Sequence, residues 1–187
     1  GLAIIATLFT GCSTDDTADV ILNVNNGGGN GGGSTGTTIS GTYTSDLTLE
    51  AGTEYTLNGS LIMATGATLT IPAGTTIKAL AQGSDVYIAI SQGATINAMG
   101  TASNPIVLTS NASNPQAGDW GGLILLGKAP INSVAGSATS TSEIASLPYG
   151  GTQSGDDSGS ISYVRVEYSG GSADGQSENN GISFYGV

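Results

Sequence analysis

Few side chains in this sequence can do chemistry, and most of those that can are carboxylates. Asp156 and Asp157 form the only adjacent acidic pair after residue 38, inside the run SGDDSGS. Glu143, Asp174 and Glu178 lie near enough in sequence to converge on them from neighbouring loops. Carboxylate and carbonyl oxygens in a Gly-rich loop suit calcium, which takes on the order of six to eight oxygen ligands. The spacing fits neither an EF-hand loop nor a nonapeptide repeat, and a solvated acidic turn would use the same residues. Asp156 and Asp157 are therefore the candidate metal ligands, with calcium the candidate ion. Arg165 and Glu167 stand two apart on a strand-like segment and share a face. A surface ion pair there contributes about 0–1 kcal/mol, and this outweighs a catalytic role for Arg165. Trp120, between Asp119 and Gly121, is a candidate for stacking on a sugar ring, and equally one for filling a core. Tyr163 points outward by strand parity and is the other candidate stacking residue.

The missing residues exclude several chemistries. With no histidine there is no Ser-His-Asp triad, no Cys-His dyad and no zinc–histidine site. Three Lys+Arg against 14 Asp+Glu give a net charge of −11, so no basic patch exists for nucleic acid. Yet only 9% of residues are charged and 38% are hydrophobic. A disordered acidic chain carries more charge and fewer branched apolar residues. A helical protein leans on Ala, Leu, Glu and Lys, whereas this chain has 31 glycines among many serines and threonines. The composition is that of a β protein with many turns.

The first residues, GLAIIATLFTG, are apolar and uncharged, too short to span a bilayer, and run into Cys12, the single cysteine. The stretch reads as the end of a secretory signal whose start is missing. With Thr10 and Gly11 before the cysteine it resembles the lipobox of bacterial lipoproteins. Phe9 departs from that pattern at the third position before the cut, where Leu is commoner; Leu8 is one place off. The resemblance implies cleavage before Cys12 and lipidation of its thiol, where each buried CH₂ contributes about 0.8 kcal/mol to anchoring. Ser13-Thr14-Asp15-Asp16 resembles the surface-export signal of Bacteroidota lipoproteins. Asn23 to Thr38 is NVNNGGGNGGGSTGTT, which has nothing to bury and reads as a flexible tether spanning roughly 20–25 Å. The expected organisation is a partial signal peptide over 1–11, a lipidated cysteine and tether over 12–38, and a folded domain over 39–187. The expected location is the outer membrane, on its exposed surface, with the membrane as partner through the anchor.

The folded part repeats itself. At a shift of 27 residues Leu61 falls on Ile88, Met63 on Ile90, Gly66-Ala67-Thr68 on Gly93-Ala94-Thr95, and Leu69 on Ile96. A second echo, at 22 residues, carries Ala51-Gly52-Thr53 onto Ala73-Gly74-Thr75. Short alternating strands broken by Gly, Asn and Pro at such a period predict a parallel β-helix. Leu61/Ile88, Met63/Ile90 and Leu69/Ile96 should stack into an apolar column, and Gly66 and Gly93 should turn corners. Asn97, Asn104 and Asn111 are further corner candidates. A β-sandwich is the alternative, but it needs no aligned repeats. Leu123–Leu126 reads as a strand buried on both faces. Residues 133–159 read as a loop protruding from one coil, and 161–168 as strand. Val187 is not the polar cap a solenoid end requires, so the domain is expected to continue past it.

The segments TLTIPAGTTIKA (68–79), GTASNPIVLTS (100–110), GDWGGLILLGKAPIN (118–132), LPYGGTQSGDDSGSISYVRVEYSG (147–170) and NGISFYGV (180–187) resemble a family of Bacteroidota right-handed parallel β-helix surface lipoproteins, from about residue 40 onward. The GDWGGL and DDSGS–YVRVEY blocks are its distinctive parts. The resemblance implies a right-handed β-helix and a surface address, and it names no reaction. The leading expectation is a non-catalytic surface binding or adhesion module, for glycans or another cell-surface partner. The alternatives are a polysaccharide lyase or hydrolase with catalytic coils past residue 187, and a structural stalk. Sugar-cleaving β-helices of the lyase kind pair carboxylate-bound calcium with Arg or Lys; those of the hydrolase kind set several Asp near a His, which this chain lacks.

Overall fold

A computed structural model describes residues 37–132, 138–174 and 177–187. The signal-like segment, Cys12 and the tether as far as residue 36 lie outside the described residues. Fourteen strands run in chain order: β1 (Thr37–Tyr43), β2 (Leu47–Thr48), β3 (Glu54–Met63), β4 (Thr68–Pro72), β5 (Thr76–Ala79), β6 (Gly83–Ile90), β7 (Thr95–Met99), β8 (Ile106–Ser110), β9 (Trp120–Leu126), β10 (Ser140–Thr141), β11 (Pro148–Tyr149), β12 (Gly159–Ser162), β13 (Val164–Val166) and β14 (Ile182–Tyr185). β1 starts two residues inside the segment read as tether.

The pairing closes these strands into a parallel β-helix. β2, β4, β7 and β12 form one face. The first half of β3 pairs with β5, and β5, β8 and β13 continue a second face. The second half of β3 pairs with β6, and β6, β9 and β14 continue a third. One strand that pairs with two different strands on the same side must turn a corner, so β3 wraps from the second face to the third. β1 lies against β3 in both halves. Every pairing in these faces is parallel, which excludes the antiparallel sheets of a sandwich.

Repeat and register agree. Leu61 pairs with Ile88, Met63 with Ile90 and Leu69 with Ile96. Coil on coil, Leu61, Ile88, Leu123 and Ile182 form one inward column, and Tyr55, Ile77, Leu108 and Val166 another. Burying each such side chain stabilises the fold by about 1.5–3 kcal/mol. Gly66 and Gly93 stack at one corner, with Gly66 N–H donating to Gly93 O (2.9 Å) and φ of 88° and 74°. Both take the left-handed backbone that only glycine adopts freely. Asn104 sits in a turn, but Asn97 lies mid-strand in β7, exposed, between Thr70 and Ser160.

The insertion between β9 and β12 differs from the protruding loop expected. Its described part holds an antiparallel hairpin, β10–β11, laid against the outside of the third face. Ile144 and Tyr149 pack there on Tyr87, Ala89, Ile124 and Leu126, with Leu147 and Tyr185 at the margin. This is why β9 is buried at every position, while β4, β5 and β7 alternate. Gln92 closes the insertion's neck: its Nε2 donates to Gly127 O (2.8 Å) and Gly150 O (2.6 Å). Apolar side chains cover the outer surface of the strand here, so the hairpin has something to bury.

Candidate functional site

The hairpin and the third face enclose a groove of about 330 Å³. β3 supplies Ser60, and β6 supplies Ser84, Asp85 and Tyr87. The turn between β10 and β11 supplies Glu143, Ile144 and Ala145, and Ala173 closes the far side. Alternation along β6 explains the set. Val86, Ile88 and Ile90 enter the core, so Asp85, Tyr87 and Ala89 must face out. The hairpin's own chemistry holds the lip in place. Ser142 Oγ donates to Ile144 O (2.6 Å) and accepts from Leu147 N–H (3.1 Å). Ala145 and Ser146 are forced to φ of 66° and 49°, a left-handed pair that costs on the order of 1–3 kcal/mol per residue. Tyr149 and Tyr185 stack behind the lip, ring centroids 4.8 Å apart. Burial raises the Tyr185 phenol above its ordinary pKa, and the Glu143 carboxylate pushes the same way.

The structure distributes the expected site residues rather than gathering them. Asp156 and Asp157 line a second groove, of about 360 Å³, floored by Leu125, Ile161, Phe184 and Val187. Both carboxylates also serve their own turn: Asp156 Oδ2 accepts from Ser158 Oγ (3.3 Å) and Asp157 Oδ1 from Gly159 N–H (2.8 Å). Among the described residues no group of three acidic side chains converges, so the pair falls short of the calcium ligand set expected from the sequence. Glu143 lines the other groove. Asp174 Oδ1 accepts from Ser177 N–H (2.6 Å), and Glu178 is exposed, bridged through its backbone to Ser172.

Trp120 is only 1% exposed, and its Nε1 donates to Glu167 O (2.8 Å). The ring is core filling, with no face free for a sugar. Tyr163 is 60% exposed, but it stands at a corner with φ of 48° and not on a strand. Its carbonyl accepts from Ile106 N–H (3.0 Å), and it lies on neither groove. Arg165 pairs with Glu167, whose other oxygen accepts from Thr109 Oγ1 (3.1 Å). Lys78 pairs with Glu54 (2.9 Å). Arg165 and Lys78 thus neutralise glutamates on the second face, away from both grooves. Sequence reading missed Ser60, Ser84, Asp85 and Tyr87. The alternation in GSDVYIAI could have placed Asp85 and Tyr87 on the outer surface, but only the folded insertion makes that surface concave.

Among known proteins, the pectate-lyase-like β-helix domain family matches residues 41–187. No curated protein and no solved structure matches the chain. The coiled parallel architecture and a family match over most of the sequence agree, and the chain belongs to the pectate-lyase-like β-helix domain family.

Proposed function

We propose that this chain is a carbohydrate-binding β-helix module, non-catalytic, carried on a surface lipoprotein through an anchor at Cys12. The observation that supports the reading is the lateral groove. Its volume, about 330 Å³, is that of a small-ligand site. Serine hydroxyls and carboxylates line it beside one tyrosine, the mixture that accepts and donates to sugar hydroxyls while packing a ring edge. The groove rests on sheet strands and a hydrogen-bonded hairpin, which keep it preformed and lower the ordering cost of binding. The lipobox resemblance around Cys12 supports the anchor, and Cys12→Ser should abolish acyl labelling in a lipoprotein-making host; unchanged labelling would remove that half of the reading.

Filling the groove tests the other half. Ser60→Trp places an indole across its β3 side. Retention of the chain on immobilised oligosaccharides should then fall at least about tenfold, an energy near 1.4 kcal/mol. Tyr163→Ala should leave retention unchanged. Loss with Tyr163→Ala and not with Ser60→Trp would move binding to the exposed corner and overturn the groove.

A further inference from the structure

The charge on the groove names the kind of sugar it takes, an inference that rests on the glycan-binding reading above. Asp85 and Glu143 stand on opposite walls, one from β6 and one from the hairpin lip, with Tyr87 between them in the lining. No Lys or Arg lines the groove among the described residues. Lys78 and Arg165 are spent on Glu54 and Glu167 on another face. Lys128 lies by a corner, its Nζ 2.7 Å from where a Gly93 side chain would begin. The whole chain carries −11, so its long-range field adds to the local one. A uronic acid polymer would set carboxylate against carboxylate in a partly desolvated cleft, a juxtaposition that costs several kcal/mol in general.

A separate observation also marks this side of the third face as polar. Asn179 is 4% exposed, and its Nδ2 has no hydrogen-bond partner among the described residues. The Nδ2 and the Tyr87 Cβ crowd the same space over Gly121, 2.5 and 3.1 Å from where a side chain on that glycine would begin. A buried amide donor without a partner costs free energy, and here it stands beside the root of the groove's tyrosine.

We infer that the groove binds glycans bearing a free amine, amino sugars of the glucosamine type, and rejects polyuronates. The ammonium sits between Asp85 and Glu143 while the ring packs against Tyr87. The test uses the full chain and three probes: glucosamine oligomers, the same oligomers N-acetylated, and galacturonate oligomers. A lysine tripeptide is the fourth arm. Glucosamine oligomers should bind at least about tenfold more tightly than the N-acetylated ones, with no binding of galacturonate. Asp85→Asn with Glu143→Gln should erase that preference. Glu50→Gln, which removes an acidic charge elsewhere on the surface, should not. Equal binding of amine and N-acetyl forms, both lost in Ser60→Trp, would overturn the charge selectivity and leave the glycan groove standing. Binding of all probes unchanged by Ser60→Trp would overturn both. Equal weakening by Glu50→Gln and the groove variants would reduce the effect to bulk charge, and tight binding of the lysine tripeptide would replace the sugar with a basic peptide.

Discussion

Gly159→Ala is expected to cost about 4 kcal/mol or more, the largest single effect in the molecule. β12 brings Gly159 against Ile96 of β7 in parallel register. A methyl on Gly159 would begin 1.9 Å from Ile96 O and 2.7 Å from Ile96 N. Those atoms are backbone of the next coil, and they cannot turn aside as a flexible side chain can. The residue also sits at φ 112°, which L side chains resist. Relief requires β12 to lift off β7, opening the apolar column beneath. Urea unfolding followed by far-UV circular dichroism measures the loss. Gly155→Ala is the control: it has open space around it and should shift stability by less than about 0.5 kcal/mol. A Gly159→Ala midpoint equal to that of the control would contradict the coil-on-coil contact.

Trp120→Ala is expected to cost about 3–5 kcal/mol, and Trp120→Phe about 1–3 kcal/mol. The first empties the space of a fully buried indole. The second keeps most of the packing but leaves Glu167 O without its donor, and that carbonyl belongs to the residue that also holds Arg165 and Thr109. Both losses appear in the same unfolding experiment. Retention on glycans by folded Trp120→Phe should equal that of the unsubstituted chain. Unchanged stability together with lost retention would return Trp120 to the role of ligand contact.

The coils were far more legible in the sequence than the site. Parallel stacking places equivalent residues of successive coils on one another, so the echo of Leu61-x-Met63 in Ile88-x-Ile90 carries the fold directly, register included. Gly66 and Gly93 are legible for the same reason, since a repeated corner repeats its backbone requirement. The grooves depend on what interrupts the repeat. The hairpin at 140–149 has no counterpart in another coil, and its place against Tyr87, Ile124 and Leu126 follows from apolar contacts distant in sequence. The acidic pair misled for a related reason. Asp156 and Asp157 look like metal ligands as a string, but Gly159 N–H and Ser158 Oγ already use one oxygen of each. Trp120 shows the limit of strand parity: where an insertion covers the outside of a strand, inward and outward are both buried.

One measurement tests the central claim most directly. The chain is incubated with a panel of acidic, neutral and amino polysaccharides, with calcium and with chelator, and retention and chain cleavage are read in the same samples. Retention without cleavage, insensitive to chelator and lost in Ser60→Trp, is the predicted result. Cleavage of any member of the panel, above all cleavage that leaves unsaturated ends and stops with chelator, would contradict a non-catalytic binding module.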